Sequence, residues 1–419
     1  MGTHSSRDVR RASRFEVLHQ IYALGSASRR LLAAASGLST ATVATVVNEL
    51  LGRGVLSEVA IEDSGGGRPR ARLAVNAARG FVVGVDVSET YVQIDVFDLA
   101  LRVRASDRRS LDAEHNRPDD VLDRIEQGVA VVLAAAGVPR CDVVGVGVSM
   151  PGRIDRVGGV SVLAPNFGWQ QVPFIRLLSD RLPLPLYLDN PLKAGTMAEL
   201  WFGAGRRADD LAVVTLGTGV GAGFTVGGTL VRGTGNAAGE WGHSTVVLDG
   251  RLCRCGNRGC LEAYVGAQGI MQHLREYAPD SRLLHDGDQA ATVAALAEGL
   301  AAGDETAEAV LRQITRYLGV GLGNLINMLD PTVVVMGGWV TGLLGPWLVP
   351  AATATAARHT FDPAFGTTRI EMSALTGDPI SLGAGIFALE GFLAGLGVST
   401  SRDSARHAAA IATTTPPAF

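Results

Sequence analysis

The sequence lacks any uninterrupted apolar run of about 18 residues, the length that a membrane-spanning helix requires. Its opening segment, MGTHSSRDVRRASRF, has no apolar core, so we expect no signal peptide. Cysteine is scarce, with 4 in 419 residues, as expected for a chain in a reducing cytoplasm. These absences argue against membrane and secreted proteins. The 47% hydrophobic and 19% charged residues then indicate a cytoplasmic globular protein large enough for two or three domains.

Three of the four cysteines lie in one short stretch, GEWGHSTVVLDGRLCRCGNRGCLE, at residues 239–262. The candidate metal ligands are His243, Cys253, Cys255 and Cys260. Three thiolates and one imidazole complete the tetrahedral shell of a structural Zn²⁺ ion and leave no position for a catalytic water. Gly256 and Gly259 let the loop turn back so that the sulfurs converge. The alternative is buried or disulfide-bonded cysteines, although Cys-x-Cys is too short to pair with itself easily.

The first 80 residues are basic, with 11 arginines and 6 acidic residues, whereas the rest of the chain is acidic. A basic head on an acidic body favours contact with a polyanion. Apolar periodicity predicts helices over 15–24, 29–36 and 40–51. Gly37 is placed to end the second helix and Ser39 to cap the third. This spacing is typical of a helix-turn-helix, and an ordinary helical hairpin is the alternative.

Two predicted strands, 54–61 and 71–75, follow the third helix and flank the glycine-rich segment DSGGGRPR. This order indicates a winged helix-turn-helix whose basic wing tip suits a narrow minor groove. Short polar or methyl-bearing side chains on the third helix suit base edges and thymine methyl groups. The predicted DNA-contacting residues are Ser39, Thr40, Ala41, Thr42, Thr45, Asn48, Arg68 and Arg70. We therefore expect the head to bind a double-stranded DNA operator.

Between residues 80 and 396 a pattern of strand, glycine turn, strand, helix and strand occurs twice. The first copy opens with an apolar strand at 80–87. The second opens with a strand at 211–216, followed by the glycine turn 217–223. Such a duplication predicts an α/β fold of two lobes with a ligand cleft between them. Residues 399–419 are rich in Ser, Thr, Ala and Pro and are predicted to be disordered.

Several motifs, in order along nearly the whole chain, resemble those of the ROK family (repressors, open reading frames and sugar kinases). The matching segments are GGGRP at 65–69, GVDV at 84–87, SMPGRID at 149–155, APNFGW at 164–169, LGTGVGAG at 216–223, GEWGH at 239–243, CRCGNRGCLEAY at 253–264 and LINMLDPTVVVMGG at 325–338. The resemblance implies an actin-like, sugar-kinase ATPase fold with zinc at the His/Cys cluster. The implied domains are the winged head at 1–78, a sugar-sensing domain at 79–398 and the tail at 399–419. Within the sensing domain, lobe one comprises 79–195 and the final helix 382–396, and lobe two comprises 196–381.

The residues that family kinases use for catalysis are altered. In those kinases the base is the aspartate of an Asn-Asp-Ala-Asn segment, where this chain reads Asp189-Asn-Pro-Leu-Lys193. Pro191 stands at the position of the base and has no side chain that accepts a proton. In the first phosphate loop, Ser88 and Glu89 replace two glycines and add bulk and negative charge. We therefore expect a repressor that senses a ligand without catalysis. A DNA-binding sugar kinase and a regulator that answers a protein partner are the alternatives.

The resemblance also implies a sugar site, which carboxylates, amides and a zinc-oriented imidazole suit because sugar hydroxyls need paired hydrogen bonds. The implied sugar-binding residues are Gly152, Arg153, Asn166, Asn190, Glu240, His243 and Glu262. Lys193, the only lysine, has three open roles: it binds an acidic or phosphorylated sugar, pairs with Asp189, or lies in solvent. The expected partners are a sugar or sugar phosphate effector and a second copy of the chain, as homodimer or homotetramer.

Overall fold

The structure is a computed structural model that describes residues 6–62, 70–111, 116–361 and 366–398. The chain divides into two compact units. Unit one comprises the chain through Phe202 together with the segment from Thr376, and unit two comprises Gly203–Leu375. The predicted wing-tip residue Arg68 and the predicted disordered tail, 399–419, lie outside the described residues, and Arg70 is described only by its backbone.

The first part of unit one is a helical head with a two-stranded antiparallel hairpin. Its elements are α1 Ser6–Leu24, α2 Arg29–Ser36, α3 Thr40–Gly52, β1 Leu56–Glu62 and β2 Arg70–Val75. The Ser39 hydroxyl accepts a 3.1 Å hydrogen bond from the backbone N–H of Thr42 and so caps α3. Gly37 ends α2 in the left-handed conformation, at φ 67°. The predicted order of a winged helix-turn-helix is thereby confirmed, with both predicted caps in place.

The helices of the head depart from expectation at one end. α1 begins at Ser6, whereas the predicted helix begins at Phe15. The additional turns carry arginines and no apolar stripe, so the periodicity that marks a buried helix face is absent from them.

Within the described part of the chain, no single helix has both the length and the apolar composition of a membrane span. α2 and α3 reach them only in combination, and the pair is bent by 119°.

A mixed five-stranded sheet forms the rest of unit one. Its strands are β3 Phe81–Val87, β4 Tyr91–Asp98, β5 Val103–Ser110, β6 Val143–Ser149 and β10 Leu186–Asp189, in the spatial order β10-β6-β3-β4-β5. β3, β6 and β10 run parallel, and β4 and β5 add antiparallel. A second, small antiparallel sheet contains β7 Arg153–Asp155, β8 Val160–Ala164 and β9 Trp169–Val172.

Helices cover both faces of this sheet. They are α4 Pro118–Ala136, the short α5 Phe174–Ser179, α6 Pro191–Phe202 and the last helix, α12 Pro379–Gly395. Alternate strand residues such as Val83 and Val85 belong to the same buried apolar cluster as the inner face of α4. The opposite face is covered by α12, which approaches so closely that a Cβ on Gly84 would lie 1.9 Å from the Ser381 carbonyl oxygen. α6 packs equally closely on α12, where a Cβ on Gly383 would lie 1.8 Å from the Ala194 carbonyl oxygen.

Unit two repeats this plan. Its strands are β11 Leu211–Leu216, β12 Val220–Val226, β13 Thr229–Leu230, β14 Val333–Gly337 and β15 Arg369–Met372, in the order β13-β12-β11-β14-β15. Its helices are α7 Glu262–Val265, α8 Ala267–Tyr277, α9 Gln289–Ala302, α10 Glu305–Leu329 and α11 Trp339–Ala356. β11 pairs antiparallel with β12 and parallel with β14, as β3 does with β4 and β6. The predicted duplication of the α/β unit is therefore confirmed.

Candidate metal centre and ligand-binding residues

The four predicted metal ligands converge in unit two. His243 ends a helical turn, Trp241–His243, and Cys260 lies two residues before the start of α7. The ligand atoms of His243, Cys253, Cys255 and Cys260 all lie within 4.8 Å of one another. The His243 Nδ1 atom is 3.6 Å from the Cys253 sulfur, and the Cys255 and Cys260 sulfurs are 3.7 Å apart. The cluster can therefore hold one metal ion.

The dimensions of the cluster fit a tetrahedral ion of the size of zinc. With Zn–S near 2.3 Å and Zn–N near 2.0–2.1 Å, the edges of such a tetrahedron are about 3.8 Å between sulfurs and about 3.6 Å between sulfur and nitrogen. All four cysteines of the chain are free, so no disulfide competes for the sulfurs. Burial, together with the neighbouring Cys255 and Cys253, raises the pKa of the Cys260 thiol to about 12. A divalent cation would favour the thiolates.

Glycines shape the loop that carries the sulfurs. Gly256 and Gly259 have φ of 91° and 76°, in the left-handed region that favours glycine. A Cβ on Gly259 would lie 1.6 Å from the Val247 carbonyl oxygen, so no other residue fits there without a shift of the backbone. The backbone N–H of Cys253 donates to the Asn257 carbonyl across the turn, at 2.8 Å. The loop folds back as the sequence predicts.

Two of the predicted sugar-binding side chains, Glu240 and Glu262, lie beside this cluster, and a third, His243, belongs to it. Glu262 accepts a 2.9 Å hydrogen bond from the backbone N–H of Val220 through one oxygen, and its other oxygen lies 3.8 Å from the Cys253 sulfur. The second ring nitrogen of His243, Nε2, is 4.0 Å from a carboxylate oxygen of the exposed Glu240. The loop that carries the three cysteines thus contacts Glu262 and His243. The Nε2 atom of His243 faces Glu240, outside the cluster.

A cavity of about 320 Å³ adjoins Glu262 on the same unit. It is lined by Thr218, Arg251, Leu252, Cys253, Arg254, Glu262, Ala263, Gln268, Gly269 and Gln272. Amides, a carboxylate and guanidinium groups offer both donors and acceptors, which is the mixture that a polyhydroxylated ligand requires. Arg251 is already bound to protein, because it contacts the Glu276 carboxylate at 2.5 Å and donates to the Ala263 carbonyl at 3.1 Å.

The remaining predicted sugar-binding residues lie in unit one. Gly152 has φ 91°, and a Cβ there would lie 2.2 Å from the Leu163 carbonyl oxygen. Arg153, the first residue of β7, and Asn166, in the helical turn Pro165–Phe167 between β8 and β9, are both exposed. Asn190 is buried and caps α6, accepting a 3.1 Å hydrogen bond from the backbone N–H of Lys193. The Lys193 side chain is fully buried, which excludes the solvent-exposed role among its three alternatives.

The segment in which the resemblance places a catalytic base forms the start of a helix. Pro191 is the first residue of α6, a position that tolerates proline because the missing N–H has no partner within the helix. Asp189, just before it, is only 1% exposed. One of its oxygens accepts from the backbone N–H of Asn190, and the other lies 3.0 Å from the Arg156 guanidinium. This carboxylate is therefore engaged in an ion pair and a hydrogen bond.

Arg156 was not among the predicted residues. It lies in the turn after β7, distant in sequence from Asp189, and no local pattern marks long-range ion pairs of this kind. The signal that could have drawn attention to Arg156 is its position directly after the motif SMPGRID, at 149–155.

The altered first phosphate loop is a tight hairpin turn between β3 and β4. The backbone N–H of Ser88 donates to the Tyr91 carbonyl at 2.8 Å. The Glu89 carboxylate accepts from the Asn166 amide, and the Glu89 carbonyl accepts from the Asn116 amide. Burial raises the pKa of Asp86, at the end of β3, well above its usual range, and the carboxylate of Asp378 raises it further. Side chains therefore hold this turn, and Glu89 adds a carboxylate to it.

An aromatic side chain that the sequence did not single out lies beside Gly217, the first residue of the second glycine turn, Gly217–Gly221. The Trp339 indole, at the start of α11, would lie 3.0 Å from a Cβ on Gly217. Gly338 makes this approach possible, because it has φ 88° and a Cβ there would lie 2.3 Å from the Leu216 carbonyl oxygen. The indole thus occupies the space over the first glycine of the turn.

The duplicated α/β architecture, with the His/Cys cluster in its second unit, defines a protein of the sugar-kinase fold. A sequence profile described as "ROK family" matches residues 82–385. The chain belongs to the ROK family, which confirms the resemblance drawn from its motifs.

Relatives of two kinds match this chain. The xylose repressor of Caldicellulosiruptor bescii is 27% identical over 390 residues, covering 91% of this chain and 96% of the relative. The crystal structure of a ROK family transcriptional regulator, a homologue of the E. coli MLC protein, superposes with a TM-score of 0.75 at 23% identity, covering 93% and 99% of the two chains. A glucokinase from Streptomyces griseus, in complex with glucose and AMPPNP, has a TM-score of 0.63 at 28% identity, covering 73% and 98%. The xylose repressor and the transcriptional regulator thus match more than nine tenths of the chain, whereas the kinase covers less of it.

Proposed function

We propose that this chain is a sugar-responsive transcriptional regulator, most simply a repressor, that binds DNA through its head and senses a sugar without phosphorylating it. One observation carries the proposal: a winged head precedes a sugar-kinase fold in which Pro191 starts a helix at the position of the base. The similarity to a xylose repressor over 91% of the chain supports it.

The DNA-binding surface that we propose is the exposed face of α3. Thr40, Ala41, Thr45 and Asn48 are exposed along it, while Val43 and Val47 on the inner face are fully buried. The hydroxyl of Ser39 is engaged in capping, so we propose that this residue contacts DNA through its backbone. Thr42 is partly exposed, and Arg68 and Arg70 complete the proposed contacts at the wing. A palindromic operator would be read by two copies, in a homodimer or homotetramer acting in the cytoplasm.

The ligand that we propose is a sugar or sugar phosphate, with D-xylose as the first candidate because relatives are named as xylose repressors. The residues that we propose as sugar contacts are Gly152, Arg153, Asn166, Asn190, Glu240, His243 and Glu262. Structural Zn²⁺ at the His/Cys cluster would hold His243 and Glu262 in place, and would take no part in chemistry because its four positions are filled by protein.

Loss of kinase activity is supported by three features that act on different steps. Proline at the base position removes the proton acceptor, and Asp189 is paired with Arg156. Glu89 puts a carboxylate in the first phosphate turn. The Trp339 indole lies beside Gly217, the first residue of the second turn. A kinase needs a base and phosphate-binding turns that are free to hold ATP, since phosphoryl transfer depends on positioned phosphates as well as on a base.

A thermal-shift screen with D-xylose, D-glucose and their phosphates, run beside an ATP-consumption assay, tests the proposal. We expect at least one sugar to raise the Tm, because a ligand at 100 times its Kd stabilises the folded state by about 2.7 kcal/mol. No sugar should stimulate ATP consumption. Glu240→Gln is the matched variant: its exposed side chain should leave the ligand-free Tm unchanged and reduce the shift. Sugar-dependent ATP turnover would instead identify a DNA-binding kinase, and the absence of any shift would favour a protein ligand.

A further inference from the structure

α6 is a buried helix that runs from a proposed ligand-binding residue to the DNA-binding head. It begins immediately after Asn190, whose side chain caps it, and it ends at Phe202. Every residue from Lys193 through Trp201 is buried. A 12-residue helix spans roughly 18 Å, and a helix enclosed on all sides moves as a rigid body. A displacement at Asn190 therefore reaches the far end of α6.

The far end of α6 is held by side chains of α1. The Nε2 atom of His19 donates to the Leu200 carbonyl at 2.9 Å, one of the last carbonyls that a helix cannot satisfy itself. The Trp201 indole, fully buried, contacts the rings of Phe15, His19 and Tyr22, with centroids 6.1, 6.4 and 5.0 Å away. These are edge-on aromatic contacts, which depend on orientation as well as distance. A movement of the end of α6 would therefore change these contacts and displace α1.

α1 in turn contacts the proposed DNA-reading helix. Its face opposite Trp201 packs in the head core, where Val17 and Ile21 are fully buried, as are Val43 and Val47 of α3. The Arg14 guanidinium donates to the Glu49 carboxylate of α3 at 3.1 Å. Packed side chains and a partly buried ion pair thus join α1 to α3. The route from Asn190 to α3 is continuous and lies entirely within unit one.

We propose that α6 transmits the effector signal to the head, with His19 and Trp201 as the positioning residues at the junction. Effector binding at Asn190 shifts α6, and α6 re-orients α1 and with it the reading helix, so that the two ligands share a coupling free energy. This inference rests on the proposed function, because a signal from effector to DNA requires that the chain bind both. The mechanical connection does not depend on which sugar binds.

Hydrogen–deuterium exchange of the full chain tests the connection without any ligand. Asn190→Ala removes the cap of α6 and should speed amide exchange in α6 and also in the Phe15–Leu24 part of α1. Asn190→Ser, which keeps a capping oxygen, should restore the wild-type rates. Asp304→Ala, which removes the equivalent cap of α10 in unit two, is the matched control and should leave α1 unchanged. Exchange that rises in the first turn of α6 alone would overturn the proposal.

Operator binding with and without D-xylose tests the transmission. His19→Leu removes the donor to α6, and should lower the ratio of the two operator Kd values by about threefold or more while the Kd for D-xylose of the DNA-free chain is retained. His19→Gln, which keeps a donor, should restore the ratio. Tyr22→Phe is the matched control, because it removes the 2.6 Å hydrogen bond from Tyr22 to the Leu99 carbonyl and keeps the ring against Trp201.

An unchanged ratio in His19→Leu, or an equal loss in Tyr22→Phe, would overturn the transmission role. A wild-type chain whose operator Kd ignores D-xylose and every sugar of the screen would contradict the proposed function. The exchange measurement would still decide whether α6 connects to the head.

Discussion

The two units repeat one plan, but their polar residues are engaged differently. In unit one, two carboxylates are bound by polar side chains of the same unit: Asp189 pairs with Arg156, and Glu89 accepts from Asn166. In unit two, Glu240 stays exposed and His243 is only partly buried, beside a loop that four metal ligands can fix. The comparison teaches that one fold can engage its carboxylates within the protein in one unit and leave an exposed carboxylate beside a candidate metal site in the other.

Removal of the metal cluster should have the largest effect and should fall on unit two. Cys260→Ala deletes a fully buried ligand, and structural zinc sites contribute on the order of 10 kcal/mol to folding in small domains. We expect a loss of bound zinc, measured by metal analysis, and a fall in Tm of roughly 10 °C or more, since about 1 kcal/mol corresponds to about 2–4 °C in a folding unit of about 150–250 residues, the size range of unit two. Cys141→Ala, at the exposed cysteine outside the cluster, is the control and should change neither.

The ion pair of unit one should give the next largest effect. Arg156→Ala leaves the Asp189 carboxylate buried without its guanidinium, which costs about 3–5 kcal/mol in comparable pairs. Urea unfolding should show this loss. Adding Asp189→Asn to the same chain removes the buried charge and should recover much of the stability. If Arg156→Ala alone were as stable as the wild type, the ion pair would not be needed to neutralise the Asp189 carboxylate.

Acid should separate the two units by the sign of its effect. In unit two, burial and then the Arg251 guanidinium lower the pKa of His273 to about 4. The unfolded chain binds this proton near pH 6.5, so the stability is complete above that pH and is lost as pH falls toward 4. The expected loss from this group between pH 7 and pH 5 is about 2 kcal/mol. In unit one the raised pKa of Asp86 acts oppositely, because its buried charge is relieved as the folded chain takes up a proton.

Urea unfolding at pH 7 and pH 5 checks this prediction in wild type and in His273→Gln, which should lose most of the difference. An equal pH dependence in both chains would contradict the assignment to His273.

Local sequence signals predicted much of the fold. Ser39 and Gly37 marked the helix ends, valine-rich runs marked β3, β6 and β11, and the spacing of cysteines and a histidine identified the cluster. These features depend on neighbours in sequence, through caps, alternation or ligand spacing.

Other features depend on partners far along the chain and were not predicted. β5 alternates exposed charged residues, such as Arg104 and Arg108, along the sheet edge and lacks an apolar strand pattern. The pairing of Arg156 with Asp189, and the indole of Trp339 over Gly217, arise only once the sheets assemble. The junction of His19 with Leu200 joins positions 181 residues apart, which no local pattern encodes.

Fluorescence anisotropy of a labelled duplex, selected by this chain from a random DNA pool, tests the central claim most directly. The titration is run with and without each sugar of the screen, in the absence of ATP. The account predicts tight, salt-sensitive binding whose Kd changes about fivefold or more with one sugar, since allosteric couplings commonly lie between about 5-fold and 150-fold. A sugar response that appears only when ATP is supplied and consumed would contradict it.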